Sequence, residues 1–143
     1  MFFVRVVLET CVIVSALRSN NGASYRLLQL ALDRKFAALT SSALFLEYED
    51  VIRRPEHRRV HGLSEFDIAV FLKDLALILN AVEVHFRWRP QLRDAGDEMV
   101  LEAAINGSAD LLVTHNVRHF SDAGRPFGLR IVNPAEALKE LDR

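Results

Sequence analysis

Three acids in this 143-residue chain have no evident basic partner nearby, and their side chains are those that hold hard cations. Glu9 interrupts the apolar run "VVLETCVIVSAL" where a buried strand is expected to end. In "SSALFLEYEDVIRRP", Glu49 and Asp50 each stand four residues before an arginine, Arg53 and Arg54. Those two read as solvent-face pairs, contributing about 0.2–0.5 kcal/mol each. Glu47 has no base four residues on and shares a face with Leu44, Tyr48 and Val51. In "DAGDEMVLEAAING", Asp97, Val100, Leu101 and Ala104 keep the spacing of a buried stripe, which leaves Glu98 and Glu102 on the outer side. Two carboxylates about 4 Å apart repel by about 4 kcal/mol at an effective dielectric of about 20. A divalent cation removes that repulsion, and an all-oxygen ligand set suits magnesium or manganese. Each acid taken singly also has a plainer reading. Asp97 can be the third residue of a helix cap begun by Asp94, Glu47 can reach solvent past Tyr48, and Glu9 can pair with an arginine.

What would bring the three together is a parallel sheet. Phe3 to Leu8 reads as a central strand buried on both faces. Residues 20–24 form a turn into a helix with Leu27, Leu28, Leu30 and Ala31 as its apolar stripe. A strand is expected from Phe36 to Thr40. Ser41 or Ser42 then caps a helix to about Arg54, where Pro55 ends it. Ser64 and Asp67 make a capping-box variant that opens an apolar helix to about Leu79. Val82 to Val84 alternates like a strand, and Asp94 caps a helix that runs to Asn106 with Gly107 as its stop. Leu111 to Thr114 and Arg130 to Val132 are the last two strands, and Pro134 begins the last helix. The alternation predicts an α/β fold, a three-layer sandwich with a central five-stranded parallel sheet. Such sheets bind ligands beyond the carboxyl ends of their strands. Glu9 and Asn116 both follow strands at that edge, whereas Asp110 precedes a strand at the opposite edge and reads as a turn residue.

Composition narrows the class. The chain is half hydrophobic, which fits a single domain over residues 1–143. Its apolar runs are shorter than the roughly 20 residues that cross a bilayer, so no membrane span is expected. One cysteine makes no internal disulfide and suits a reducing, cytoplasmic setting. A net charge of −1 means that any nucleic acid must be held by a local patch. Two segments could supply one. "RRPEHRRVH" (53–61) offers arginines for phosphates, and "HFRWRPQLR" (85–93) interleaves arginines with Phe86 and Trp88 for base stacking. His115 and His119 flank Asn116 and could approach a phosphate, and Cys11 reads as a small buried hydrophobe. Absence of a Gly-x-x-x-x-Gly-Lys sequence excludes a phosphate-loop enzyme.

Four blocks in order carry a family resemblance over nearly the whole chain. "VVLETCVIVSALRS" resembles an opening Val-Leu-Asp-Thr-Asn-Val-Leu-Val-Ser-Ala, and "TSSALFLEYEDVIRRP" is similar to a Ser-x-x-Leu-x-x-Glu-Tyr-Glu-x-Val-Leu helix. "LRDAGDEMVLEAAINGSADLLVTHNVRHF" resembles an acidic turn and helix leading into a strand that ends Thr-x-Asn or Thr-x-Asp, and "GLRIVNPAEAL" the closing strand and helix. These blocks resemble the PIN-domain family, in the branch of VapC-like toxins of bacterial toxin–antitoxin systems. The resemblance implies a metal-dependent endoribonuclease using Mg2+ or Mn2+, with Glu9, Glu47 and Asp97 as metal ligands. Asn116 falls on the fourth polar position of the catalytic set, and Thr114 on the small hydroxyl residue beside it. It also implies an RNA substrate, a cognate antitoxin and a homodimer, for which the helix "FDIAVFLKDLALILNAV" offers a compatible surface.

Two residues depart from the pattern, Glu9 where aspartate is usual and Cys11 where asparagine is usual. Glutamate adds about 1.5 Å of reach, while an error of about 1 Å in a reacting geometry can cost on the order of a hundredfold in rate. A catalytically silent PIN-like module that binds RNA or a protein partner is therefore the alternative. A receiver- or flavodoxin-like signalling domain shares the topology, but its lysine near the last strand and its phosphorylatable aspartate after a middle strand are not evident.

Overall fold

Val6, Val7 and Leu8 are consecutive and all buried, so the strand that holds them is covered on both faces. The protein is described by a computed structural model in which residues 3–86, 92, 94–120 and 123–142 are defined. That first strand, β1 (Arg5–Leu8), lies at the centre of a five-stranded sheet. β2 (Ala37–Thr40) pairs with one side of it and β4 (Leu111–Val113) with the other. β3 (Asn80–Ala81) and β5 (Arg130–Val132) form the two edges. The order is β3-β2-β1-β4-β5 and every pairing is parallel. This is the expected three-layer α/β sandwich. In the expected register all strands end together, so the loops after β1 and β4 open on the same edge.

Four of the helices begin where short polar side chains satisfy free N–H groups. Ser41 Oγ accepts from the Leu44 N–H at 3.1 Å and opens α3 (Ser42–Ile52). Reciprocal capping boxes, Ser64 with Asp67 and Asn133 with Glu136, open α5 (Glu65–Ile78) and α8 (Pro134–Leu141). Asp94 Oδ1 accepts from the Gly96 N–H at 2.7 Å and opens α6 (Ala95–Asn106). The turn out of α6 needs glycine for space. A Cβ on Gly107 would stand 2.8 Å from Val82 Cγ2 and 2.9 Å from Leu39 Cδ1.

One expectation, the third strand, is corrected, and three helices add to the expected order. Residues that continue the first apolar run form a helix, α1 (Thr10–Arg18), whose Val12, Ile13, Val14 and Ala16 are buried; α2 (Ala23–Leu32) then packs against it. Pro55 ends α3 but also occupies the first turn of α4 (Pro55–His61), the helix that contains most of the arginine-rich segment. The third strand is Asn80–Ala81 rather than 82–84, although the Val82 N–H still donates to the Thr40 carbonyl at 2.8 Å. A short helix, α7 (Val117–Phe120), follows the fourth strand and buries Phe120 completely. Among the described residues no helix is long and apolar enough to cross a membrane.

One buried polar contact joins the centre of the sheet to α3. The Tyr48 hydroxyl, fully buried, donates to the Leu8 carbonyl at 2.5 Å, one residue before Glu9. Removing the donor leaves that carbonyl without this partner, a loss on the order of 1–3 kcal/mol. Tyr48→Phe is therefore expected to lower the urea midpoint by that amount of stability with an unchanged slope, as measured by equilibrium unfolding.

Candidate functional site

The site is built where β1 and β4 end. Glu9 caps α1 with its backbone in the extended region, and its N–H donates to the Val113 carbonyl at 2.9 Å. Its side chain forms no cap hydrogen bond and turns elsewhere. Glu9 Oε2 accepts from Thr114 Oγ1 and, at 3.1 Å, from Cys11 Sγ. Thr114 is fully buried and its own hydroxyl oxygen accepts the Asn116 N–H at 2.9 Å, which leaves the hydroxyl proton for Glu9.

Asp97 arrives from the first turn of α6. The Asp94 cap is closed through Gly96, so Asp97 takes no part in it and is free for other work. Asp97 lies near Glu9, close enough for its charge to act on the Glu9 carboxyl. Both are buried, and burial is the main reason that both pKa values stand above the ordinary 4.5 and 3.8 of Glu and Asp. Beyond desolvation, the Thr114 and Cys11 donors pull Glu9 back down while the charges of Asp97 and Glu47 push it up. For Asp97 the neighbouring Asp94 adds to the rise, and His119, with Nδ1 3.4 Å from Oδ2, opposes it.

Glu47 approaches from α3. It is half-buried, and the Thr10 hydroxyl donates to its Oε2 at 2.7 Å. Its other oxygen faces α6, since a Cβ built on Gly96 would lie 3.5 Å from Glu47 Oε1. Among the described residues, neither Glu9 nor Glu47 pairs with an arginine or lysine. The three acids are thus neighbours in space although they come from three distant segments. Asn116 is brought to the same edge, but its side chain is exposed and bonds to none of them.

A groove of about 490 Å³ leads away from the acids along α1. Thr10, Cys11, Val14 and Arg18 line one wall, Glu47 and Val51 the other, with His57 of α4 and His115 at the rim. His115 Nε2 lies 3.3 Å from Ser24 Oγ. Thr10 and Arg18 were not singled out by sequence pattern. Thr10 had a signal, a hydroxyl one residue after a spare acid, whereas Arg18 had none.

Other expectations fare differently. Glu98 and Glu102 are buried rather than outward, and the Leu92 N–H donates to Glu98 Oε1 at 2.6 Å. Cys11 is half-buried and a hydrogen-bond donor rather than a plain hydrophobe. In the 53–61 segment, Arg53 pairs with Glu49 and Glu65, Arg54 with Asp50, and Arg58 with Glu65, so most of its positive charge is neutralised. Arg59 and, in the groove, Arg18 form no ion pair among the described residues. Arg87, Trp88, Arg89 and Arg93 of the second basic segment lie outside the described residues.

A metal can be tested against this arrangement. Among the described residues, no three Asp, Glu, His or Cys side chains stand ready-made as a ligand set. The chemistry of the donors nonetheless fits a hard divalent cation. Glu9 and Asp97 are buried carboxyls with raised pKa values, and the charges of Asp97 and Glu47 act on Glu9 at a place where a cation would remove that repulsion.

The PIN domain family model matches residues 5–118. Among solved structures, the fold is similar to that in the crystal structure of VapBC2 from Rickettsia felis bound to a DNA fragment from their promoter. The TM-score is 0.57 and the identity 18%, over 90% of this chain and 98% of that one. Likeness at that identity speaks for the fold alone. No curated protein matches the chain.

The raised carboxyl pKa values fix a sign. A folded chain that keeps protons the unfolded chain has lost becomes less stable as pH rises from the unfolded pKa values through the folded ones. Chelator-treated protein should therefore lose stability across that window, and Glu9→Gln and Asp97→Asn, which cannot ionise, should flatten the loss and raise Tm at neutral pH. Thermal unfolding between about pH 4 and 8 measures this; a lower Tm in both variants at neutral pH would contradict it.

Proposed function

The chain belongs to the PIN domain family, and from that premise we propose that it is a metal-dependent endoribonuclease acting as the toxin of a toxin–antitoxin pair. The observation that carries the reading is the gathering of the buried Glu9 and Asp97 with Glu47 at the carboxyl edge of the sheet, where the charges of Asp97 and Glu47 both act on Glu9. Glu9, Glu47 and Asp97 are the residues that would hold Mg2+ or Mn2+. Bound there, the ion would acidify a water and offset charge on the phosphoryl group.

The chain's own residues supply the rest. Thr114 and Cys11 fix the Glu9 carboxylate, and Thr10 fixes that of Glu47. Asn116, in the fourth position of the set, is exposed at the site's edge and free to meet substrate. A single strand of RNA fits the groove along α1, with its backbone near Arg18 and His57 and a base against Val14 and Val51. This patch is small, in keeping with a net charge of −1.

The partners follow from the same reading. A segment of a cognate antitoxin would block the groove, and two copies of the chain would pair through α5, which exposes Phe66, Val70 and Leu77. A cytoplasmic setting accords with the lone cysteine. The second reading, a silent module that binds RNA or a protein, is favoured by the longer Glu9 and by the lack of a ready-made ligand set among the described residues.

Purified protein is expected to cleave single-stranded RNA with Mn2+ or Mg2+, and Asp97→Asn to lose on the order of a hundredfold in rate. RNA turnover unchanged by Asp97→Asn would remove the enzyme reading, and RNA binding without cleavage by the parent chain would leave the silent module. Sedimentation should find a dimer that Phe66→Glu with Leu77→Glu converts to monomer.

A further inference from the structure

We propose that Thr10 is a positioning residue that holds one oxygen of Glu47 so that the other is presented to a cation beside Asp97. The inference rests on the reading of Glu9, Glu47 and Asp97 as metal ligands and adds a residue that this reading does not contain. Two observations meet. The Thr10 hydroxyl, itself buried, donates to Glu47 Oε2 at 2.7 Å. Glu47 Oε1 faces the first turn of α6, lying 3.5 Å from the point where a Cβ on Gly96 would stand. One oxygen is engaged by α1 and the other looks toward the helix that holds Asp97.

The arrangement meets a specific need. Glu47 is half-buried and has no arginine or lysine partner among the described residues, so without a donor its three side-chain torsions would carry the carboxylate out toward the groove. A hydrogen bond to a charged acceptor is about twice as strong as a neutral one, and from a buried hydroxyl it is also directional. Threonine is suited to the task because its branched Cβ leaves few rotamers open on a helix. The hydroxyl cannot replace a ligand; it sets the angle at which the carboxylate is offered. The next residue acts in parallel, since the Cys11 thiol donates to Glu9 Oε2. The first turn of α1 thereby fixes two acids from two different elements.

The test uses the full chain and Mn2+ alone. Thr10→Val keeps the shape and removes the donor, and Thr10→Ser keeps the donor. Calorimetric titration is expected to show Mn2+ affinity about tenfold or more weaker for Thr10→Val, as for other residues that orient ligands. Thr10→Ser should retain the parent's affinity, and both metal-free variants should melt with the parent. Should Thr10→Val fail to fold, Thr10→Ala carries the same comparison. The inference is overturned if the variant without the donor binds Mn2+ as the parent does, or if Thr10→Ser weakens binding equally. A parent chain that binds no Mn2+ overturns the metal-ligand reading and this inference together, whereas a binding parent with an unaffected Thr10→Val overturns this inference alone.

Discussion

Negative charge gathered at the end of a buried parallel sheet has to be compensated, and that requirement organises this molecule. Glu9 and Asp97 are both buried, in the field of Glu47, and no arginine or lysine pairs with Glu9 or Glu47 among the described residues. In place of cations the chain uses small donors. Thr114 and Cys11 serve Glu9, Thr10 serves Glu47, and His119 lies beside Asp97. Such compensation is partial. It leaves the two buried carboxyls with raised pKa values, a sign that their charged forms remain disfavoured. A group of acids kept in that condition is a common mark of a working site, where stability is given up for chemistry.

The scaffold determines which residues meet. β1 is central, so its last residue is flanked by the ends of both neighbouring strands, and β4 delivers Thr114 directly beside Glu9. α3 is fastened at the same height by the Tyr48 hydroxyl on the Leu8 carbonyl, and this places Glu47, one residue earlier, next to the start of α1. α6 enters from the side, with Asp94 taking the cap so that Asp97 is left for the site. The hydrogen bonds that hold the elements and those that orient the acids are therefore neighbours along the same backbone segments.

Much of this could be read from the chain because the signals are local. Ser41, Ser64, Asp94 and Pro134 each mark a helix start by chemistry confined to one turn, and the strands other than the exposed Asn80–Ala81 stand out as short runs with apolar residues. Sorting acids by whether an arginine lay four residues on also worked, because that pairing is local: Arg53 does hold Glu49, and Arg54 does hold Asp50. Other features are decided by distant contacts. Val12, Ile13 and Val14 prefer strands by type, yet they form a helix because burial against the sheet and neighbouring helices outweighs propensity. Glu98 and Glu102 look outward on a helical wheel, but both are buried, and Glu98 accepts from the Leu92 N–H. Which oxygen of Glu47 is engaged, and by which hydroxyl, depends on the relative placement of α1 and α3 and has no signature in either segment alone.

The departure at Glu9 takes on a different weight in this setting. Added length harms a ligand mainly through added freedom, since an extra torsion lets the carboxylate miss its target. Here that freedom is removed from two sides, by a buried hydroxyl from β4's end and a thiol from α1, both on the same oxygen. Cys11, at the position where the resemblance implies asparagine, bonds to the very acid that departs from the pattern. Cys11 and Glu9 thus form a matched pair, in which the shorter side chain accommodates the longer one. A departure of that kind adjusts how an acidic site is assembled, and its consequence is set by where the remaining Glu9 oxygen points relative to Asp97.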